Sequence, residues 1–256
     1  MGIFKKTFDF YIYSSIHVGL AVYALVCLTQ ISLDIPVIKN LNETVFFGTV
    51  FGYNFLKYFA VSSVKTVKSK KYAGIAAVSF LAGLATLYFF MQLDSTIQIA
   101  FVKIGILVLI YPFLRKFGLL KIFLVSFCVS VITVYFPAFF LKSWTFDFYI
   151  TFLQRFLIVI SLLIPFEILD SKTDDLSMKT IPQQFGINVA KLFGILIVIP
   201  FIVIEFLKVK SNYLVLPIGI LVTLLIHFSA LKRNKYYTSF WVESVPIFWW
   251  ILLLVF

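Results

Sequence analysis

Long apolar runs alternate with short polar segments along the whole chain. A helix needs about 20 apolar residues to cross a bilayer, and nine runs approach that length. They lie at roughly 8–32, 43–63, 73–92, 96–113, 119–141, 146–167, 188–207, 212–231 and 238–256. No long polar linker separates the runs. The pattern therefore predicts a single all-α domain over residues 1–256, built as a bundle of nine transmembrane helices.

The composition of the chain agrees with a membrane protein. Hydrophobic residues make up 62% of the chain, charged residues only 13%, and the mean hydropathy is +1.04. A soluble domain of this length would have about a quarter of its residues charged, so the lipid bilayer must cover much of the apolar surface. The net charge of +11 is spread over short loops, and we therefore expect no nucleic acid as a partner.

The distribution of basic residues predicts how the helices are oriented. With the N-terminus in the cytoplasm, most lysines and arginines fall in the predicted cytoplasmic segments. The predicted loops on the opposite side hold only Lys39, Lys142, Lys208 and Lys210. This asymmetry follows the positive-inside rule. We therefore expect a multi-pass protein of the cell membrane with a cytoplasmic N-terminus and an outer C-terminus.

Carboxylates are rare in the chain but concentrated in one place. The chain has 11 acidic residues, and the segment PFEILDSKTDDLSMKTIP holds the acidic cluster Glu167, Asp170, Asp174 and Asp175. Asp170 and Asp174 share one face if the sixth helix continues through them. Mg²⁺ binds one or two carboxylates together with substrate phosphates, so the cluster predicts a magnesium and diphosphate site. The alternative is a solvated helix end, neutralised by Lys172 and Lys179.

Two segments of the chain resemble one family of membrane enzymes. The segment EILDSKTDDLSMKTIPQQFG, residues 167–186, resembles the second aspartate motif of the UbiA superfamily of membrane prenyltransferases. The matching residues are the paired aspartates Asp170 and Asp174 and the trailing Thr180, Pro182 and Gly186. The segment YPFLRKFGLLKIFLVSF, residues 111–127, is similar to the family's loop between its fourth and fifth helices. The layout of nine helices also agrees.

The resemblance implies transfer of a prenyl group from a prenyl diphosphate to a lipophilic acceptor, commonly an aromatic ring. It implies Asp170 and Asp174 as catalytic residues that hold Mg²⁺, with Glu167 as a further metal ligand. Loss of diphosphate leaves an allylic cation, which an apolar tunnel protects from water. The residues expected to bind the substrate are Asn54, Lys57, Tyr58, Tyr111, Arg115, Lys116, Lys121 and Lys179.

The sequence departs from the family's first aspartate motif, which is expected at the end of the second helix. Asn54 matches the family's asparagine, but Phe55 stands where an aspartate is expected, and no carboxylate occurs between Glu43 and Asp94. The second motif lacks the usual glycine, near Met178. A second interpretation therefore stays open: a catalytically degenerate UbiA-like protein that binds an isoprenoid or a partner without chemistry.

Two basic residues lie inside predicted helices, where a charge is costly and usually paired. Lys57 is expected either to enter the bundle, where it pairs with Asp170 or Asp174 or replaces a magnesium against the diphosphate, or to extend to the cytoplasmic interface. Arg155 lies near the middle of the sixth helix, and we expect a buried structural pairing rather than a role in substrate binding. A secondary transporter would need more polar residues near the bilayer centre than this chain has.

Overall fold

A computed structural model of the protein describes residues 2–59, 70–114, 118–141, 143–171 and 178–256, with backbone alone at 59, 70–72 and 111–114. These ranges contain helices and turns and no strand. The all-α prediction is therefore confirmed for the part of the chain that the structure describes.

The helices follow the predicted apolar runs. They are α1 (Ile3–Tyr13), α2 (Ile16–Ser32), α3 (Leu41–Asn54), α4 (Lys70–Phe90), α5 (Ser95–Leu114), α6 (Leu119–Ser130), α7 (Phe146–Asp170), α8 (Ile181–Phe185), α9 (Ile187–Val203), α10 (Val215–His227) and α11 (Val245–Val255). Turns of π type at Phe55–Phe59 and Val131–Tyr135 extend α3 and α6, and another at Tyr237–Val242 precedes α11. A 3-10 turn, Ile204–Leu207, extends α9.

Several of these helices are suited to cross a bilayer. Among the described residues, four are long and apolar enough: Ala73–Phe90, Phe146–Asp170, Ile187–Leu207 and Tyr237–Val255. The pair α1 and α2 makes a fifth if it counts as one span, although the two helices are bent by 56°. Three further apolar helices are shorter. Length and composition thus indicate a membrane protein, whereas the count of nine spans stays a prediction.

The largest core lies where α7 packs against α9 and α10. Two glycines allow this close approach. A Cβ on Gly194 would lie 3.1 Å from side-chain atoms of both Ile164 and Ile226, and one on Gly219 would lie 2.8 Å from Cγ1 of Ile202. Small residues at helix contacts are the usual means of bringing membrane helices together. A second core joins α2, α3 and α5 to the end of α6.

Helix α7 is the most enclosed of the candidate spans. In its most apolar window 56% of the residues are buried, compared with 17% for α4. It contacts α6, α9 and α10 and the turn before α11. The buried polar side chains on α7 therefore face other helices. They are Thr151, Gln154, Arg155, Ser161 and Glu167.

Candidate functional site

The C-terminal end of α7 and the N-terminal end of α6 meet in a buried ion pair. The ammonium of Lys121, in the first turn of α6, contacts Oε1 of Glu167, in the last turn of α7. Only 11% of the Lys121 side chain and 5% of the Glu167 side chain are exposed. The pair joins the 111–127 segment to the 167–186 segment, which are the two parts of the sequence that carry the family resemblance.

A backbone contact joins the same two segments beside this ion pair. Gly118 has a φ of 48° and precedes α6. A Cβ at this position would lie 3.0 Å from the carbonyl oxygen of Met178 and would overlap that of Lys179. A side chain is therefore excluded here both by the left-handed backbone and by the neighbouring carbonyls. Glycine at 118 lets the chain before α6 pack directly on the chain before α8.

The trailing part of the acidic motif forms a capped turn. The backbone N–H of Thr180 donates to the side-chain oxygen of Gln183, 3.1 Å away, and Pro182 lies in the first turn of α8. The side-chain amide of Gln184 donates to the carbonyl of Lys179. A residue that caps a helix from its third position and a proline in the first turn both favour a helix start. Thr180 and Pro182 therefore have local structural reasons to occur in the motif.

The structure describes only some of the remaining residues predicted for this site. Asp170 is exposed at the last position of α7, and Lys179 is exposed with a φ of 48°. Tyr111 lies in α5, where the structure describes the backbone alone. Asp174, Asp175, Arg115 and Lys116 lie outside the described residues.

An open groove of about 870 Å³ lies beside the end of α7. Its polar lining includes Ser171, Gln183 and Asn188, and its apolar lining includes Phe185 and Leu231. Ser171 directly follows Asp170, so the groove begins next to the acidic cluster. A groove with both kinds of lining can accept a ligand that has a polar head and an apolar chain.

The end of α3 has a structural environment of its own. Asn54 is fully buried; its amide donates to the carbonyl of Ser14, 2.8 Å away, and its side-chain oxygen accepts from the hydroxyl of Ser15 at 2.6 Å. Ser14 and Ser15 form the break between α1 and α2, where Ser15 has a φ of 61°. The side chain of Asn54 thus holds this break in place, a function that accounts for its burial without any ligand.

Lys57 and Tyr58 lie in the same region. The hydroxyl of Tyr58 donates to the carbonyl of Tyr13, 2.8 Å away. Nζ of Lys57 lies 5.6 Å from the ring centre of Tyr13 and 5.2 Å from that of Tyr58. These contacts place Lys57 beside the end of α1. Its predicted pairing with Asp170 or Asp174 stays a prediction.

A second polar network lies near the opposite end of α7 and was not predicted from the sequence. The carboxylate of Glu205 accepts from the side-chain amide of Gln154 at 2.7 Å and from the backbone N–H of Asn212 at 2.8 Å. The ammonium of Lys208 lies 2.9 Å from the same carboxylate. Burial lowers the pKa of Lys208, while Glu205 beside it opposes that shift. Polar residues within apolar runs, here Gln154 and Glu205, were the signal that could have indicated this network.

Arg155 follows Gln154 on α7 and is 3% exposed. Its Nη2 donates to the carbonyl of Leu25 and to the hydroxyl of Thr29, each 3.1 Å away. The guanidinium also lies over the ring of Trp249, 5.7 Å from its centre. Its burial and its bonds to α2 agree with the expected structural role, but the partners are a carbonyl and a hydroxyl rather than a carboxylate.

The structure therefore brings Lys121, Glu167 and the 178–186 chain together and places Asn54, Lys57 and Tyr58 around the break between α1 and α2. Within the described ranges, no group of three or more His, Cys, Asp or Glu side chains could hold a metal ion. Those ranges include Glu167 and Asp170 of the acidic cluster, whereas Asp174 and Asp175 lie outside them. No protein-family model, curated protein or solved structure matches the chain.

Proposed function

We propose that this chain is a UbiA-like prenyltransferase, which moves a prenyl group from a prenyl diphosphate to a lipophilic acceptor. One observation carries the proposal: the two segments that resemble the family, far apart in sequence, contact each other in the fold. The ion pair between Lys121 and Glu167 and the packing of Gly118 on Lys179 join them. A shared site at these helix ends requires such a contact.

In this proposal Asp170 and Asp174 hold Mg²⁺ and the diphosphate. One or two carboxylates with phosphate oxygens are a usual ligand set for this ion, and the exposed position of Asp170 at the end of α7 fits that role. Bound there, Mg²⁺ would offset the charge that develops on the departing diphosphate. The buried carboxylate of Glu167 contacts the ammonium of Lys121 and so holds it beside the site. The expected role of Glu167 as a metal ligand stays a prediction.

Basic residues of the two segments supply the rest of the positive charge. Lys121, Arg115, Lys116 and Lys179 would neutralise the diphosphate as the allylic carbon–oxygen bond breaks. The acceptor then attacks the allylic cation and loses a proton. Tyr111 would line this region, whereas the bonds of Asn54 and Tyr58 to the α1–α2 break favour a structural role for both.

The proposed membrane arrangement has nine spans with the N-terminus in the cytoplasm. It is supported by the accumulation of lysine and arginine on one predicted side and by the helices found at each apolar run. The acidic cluster then lies at the cytoplasmic surface, where a water-soluble diphosphate head arrives. The apolar wall of the adjoining groove, formed in part by Phe185 and Leu231, is suited to an isoprenoid chain.

A second candidate function is binding of an isoprenoid without chemistry. It is favoured by the end of α3, where Phe55 replaces the expected aspartate and the side chain of Asn54 is engaged by Ser14 and Ser15. Half of the family's metal ligands are then missing. A protein of this kind would bind a prenyl diphosphate or prenyl chain and release no diphosphate.

Binding of tritiated geranylgeranyl diphosphate to the detergent-purified protein tests the proposal. We expect binding in Mg²⁺ that is lost in EDTA and that is weakened at least about tenfold by Asp170→Asn combined with Asp174→Asn, since each ligand carboxylate contributes charge. The matched control is Asp94→Asn, an exposed aspartate in the loop between α4 and α5. This variant should bind as the unchanged protein does.

The results of this experiment distinguish the prenyltransferase from the non-catalytic isoprenoid-binding protein. Release of diphosphate in the presence of an aromatic acceptor, lost in the double variant, supports the enzyme. Magnesium-dependent binding without release of diphosphate supports the non-catalytic protein. Binding that is indifferent to both EDTA and the double substitution rejects the site altogether.

A further inference from the structure

Arg155 is a buried charge that the proposed reaction does not use. It lies nine residues into α7, about 14 Å from the start of the helix, and about 18 Å from Glu167 on the same helix. Its guanidinium is enclosed by α2, α7 and Trp249 of α11. We propose that Arg155 binds a small inorganic anion, such as chloride, inside the helical bundle, independently of prenyl transfer.

Two buried donors of Arg155 have no acceptor among the described residues. Nη2 makes both recorded hydrogen bonds, to Leu25 and Thr29. Nε and Nη1 are buried and have no hydrogen-bond partner among the described residues. Buried donors in folded proteins are nearly always paired, and a donor without a protein partner is generally met by a water or an ion. These two nitrogens therefore need an acceptor from outside the described residues.

The guanidinium of Arg155 also carries a buried positive charge. In the part of the chain that the structure describes, no carboxylate forms an ion pair with Arg155. The nearby acid Glu205 is engaged by Lys208, Gln154 and Asn212. A bound water would satisfy the free donors but leave the buried positive charge uncompensated, which is costly in a region that excludes water. An anion satisfies both the donors and the charge.

Thr151 lies on the same face of α7 as Arg155 and offers a further hydrogen-bond donor. The hydroxyl of Thr151 is also buried without a hydrogen-bond partner among the described residues. Thr151 lies one turn before Arg155, and long side chains on a helix lean toward the preceding turn. A hydroxyl and a guanidinium on one face form a set of donors that suits an anion. Thr29, already bonded to Nη2, lies on the facing helix.

The enclosure of the guanidinium limits the size of the ligand. Arg155 is 3% exposed, and it lines neither the groove next to Ser171 nor the open groove between α2 and α11 that Tyr23 and Trp250 line. A diphosphate or a lipid headgroup needs a wide entrance. A single halide ion needs far less space than either. Chloride is therefore the anion that fits the observations.

Iodide quenching of tryptophan fluorescence tests the proposal, because Trp249 lies beside the guanidinium. The detergent-purified protein is kept in sodium gluconate and titrated with iodide. We expect a saturable component of quenching that chloride displaces. It should disappear in Trp249→Phe, which removes the reporter, and in Arg155→Gln, which removes the charge. Thr151→Val should weaken the apparent iodide affinity by about three- to tenfold, the loss of one hydrogen bond.

A measurement of thermal unfolding does not depend on the fluorescence of Trp249. The unfolding midpoint of the unchanged protein should be higher in sodium chloride than in sodium gluconate at equal ionic strength, since a ligand that binds the folded state stabilises it. Trp249→Phe should keep this difference, and Thr151→Val should reduce it. If Arg155→Gln does not fold, Thr151→Val still decides the question. Linear iodide quenching, together with equal midpoints in the two salts, would overturn the proposal and assign the free donors to water.

Discussion

Glu167 and Arg155 are both buried charges on α7, but their surroundings differ. Glu167 receives the ammonium of Lys121 from α6, so its charge is balanced within the protein. Arg155 receives only a carbonyl and a hydroxyl from α2, and two of its nitrogens have no described partner. The comparison shows that burial of a charge on a membrane helix does not imply an opposite charge beside it. Where no such charge is present, a ligand is the natural complement.

The largest expected effect comes from breaking the balanced pair. Lys121→Met leaves the carboxylate of Glu167 buried without its ammonium, and we expect a loss of about 3–5 kcal/mol in the free energy of unfolding. Unfolding of the detergent-solubilised protein, followed by circular dichroism, measures this loss. The double variant Lys121→Met/Glu167→Leu should recover most of the stability, because it removes both charges of the pair.

An exposed ion pair provides the control. Lys210 lies 3.3 Å from Asp34, with 71% and 82% of the two side chains exposed. Lys210→Met should therefore lower the free energy of unfolding by less than about 1 kcal/mol. Equal effects of Lys121→Met and Lys210→Met would show that the Glu167 carboxylate does not depend on Lys121.

The next effect concerns Glu205, the other buried acid with described partners. Glu205→Leu removes the acceptor of three donors, those of Gln154, Lys208 and Asn212. We expect a loss of about 2–3 kcal/mol in the free energy of unfolding, the cost of leaving buried polar groups unsatisfied. Glu205→Gln keeps one acceptor and should lose less. A Gln variant as unstable as the Leu variant would mean that the charge, rather than the hydrogen bonds, holds this network.

A smaller effect is expected at Arg155, in contrast to Lys121. In gluconate buffer, Arg155→Met removes an uncompensated charge together with two hydrogen bonds, so the free energy of unfolding should change by less than about 1 kcal/mol. Arg155→Lys keeps the charge but loses the geometry of the guanidinium, and it should be the less stable of the two variants. A loss of several kcal/mol in Arg155→Met would indicate a protein partner comparable to that of Glu167.

The smallest effect is expected at Asp94, an exposed carboxylate satisfied by hydrogen bonds alone. The side chain and the backbone N–H of Thr96 donate to it, and these bonds lower the pKa of Asp94 below its ordinary value of 3.8. A carboxylate with a lowered pKa stabilises the folded state above pH 3.8 and loses that contribution as the pH falls through the lowered pKa. The unfolding midpoints of the unchanged protein and Asp94→Ala should therefore differ slightly at pH 6, and the difference should shrink as the pH falls below 3.8. A difference between the two midpoints that does not change with pH would assign the effect to the helix propensity of alanine.

Much of the helical pattern was predictable because it depends on neighbouring residues. The run at 146–167 corresponds to Phe146–Asp170, and the run at 188–207 to Ile187–Leu207. The run at 8–32 is instead divided at Ser14 and Ser15, between α1 and α2. The break is held by Asn54 of α3, which lies about forty residues further along the chain. Periodicity within a window cannot indicate a partner at such a distance.

In the candidate site, too, the sequence did not indicate contacts between distant residues. The acidic cluster and the basic 111–127 segment were both evident in the sequence, and Lys121 was among the residues assigned to the diphosphate. Its contact with Glu167 was not foreseen, because that contact depends on how α6 packs against α7. The positions of Asp174, Arg115 and Lys116 lie outside the described residues, so their roles stay predictions.

The sequence by itself determined that the chain is helical, that it is suited to a bilayer, and where charges interrupt its apolar runs. These properties depend on composition and on spacing along the chain, which the order of residues contains directly. Only the tertiary structure decided which buried charges are balanced, since the distance from Lys121 to Glu167, or from Arg155 to any acid, depends on the packing of separate helices. Burial makes that pairing energetically decisive, because water is absent there and cannot replace a missing partner.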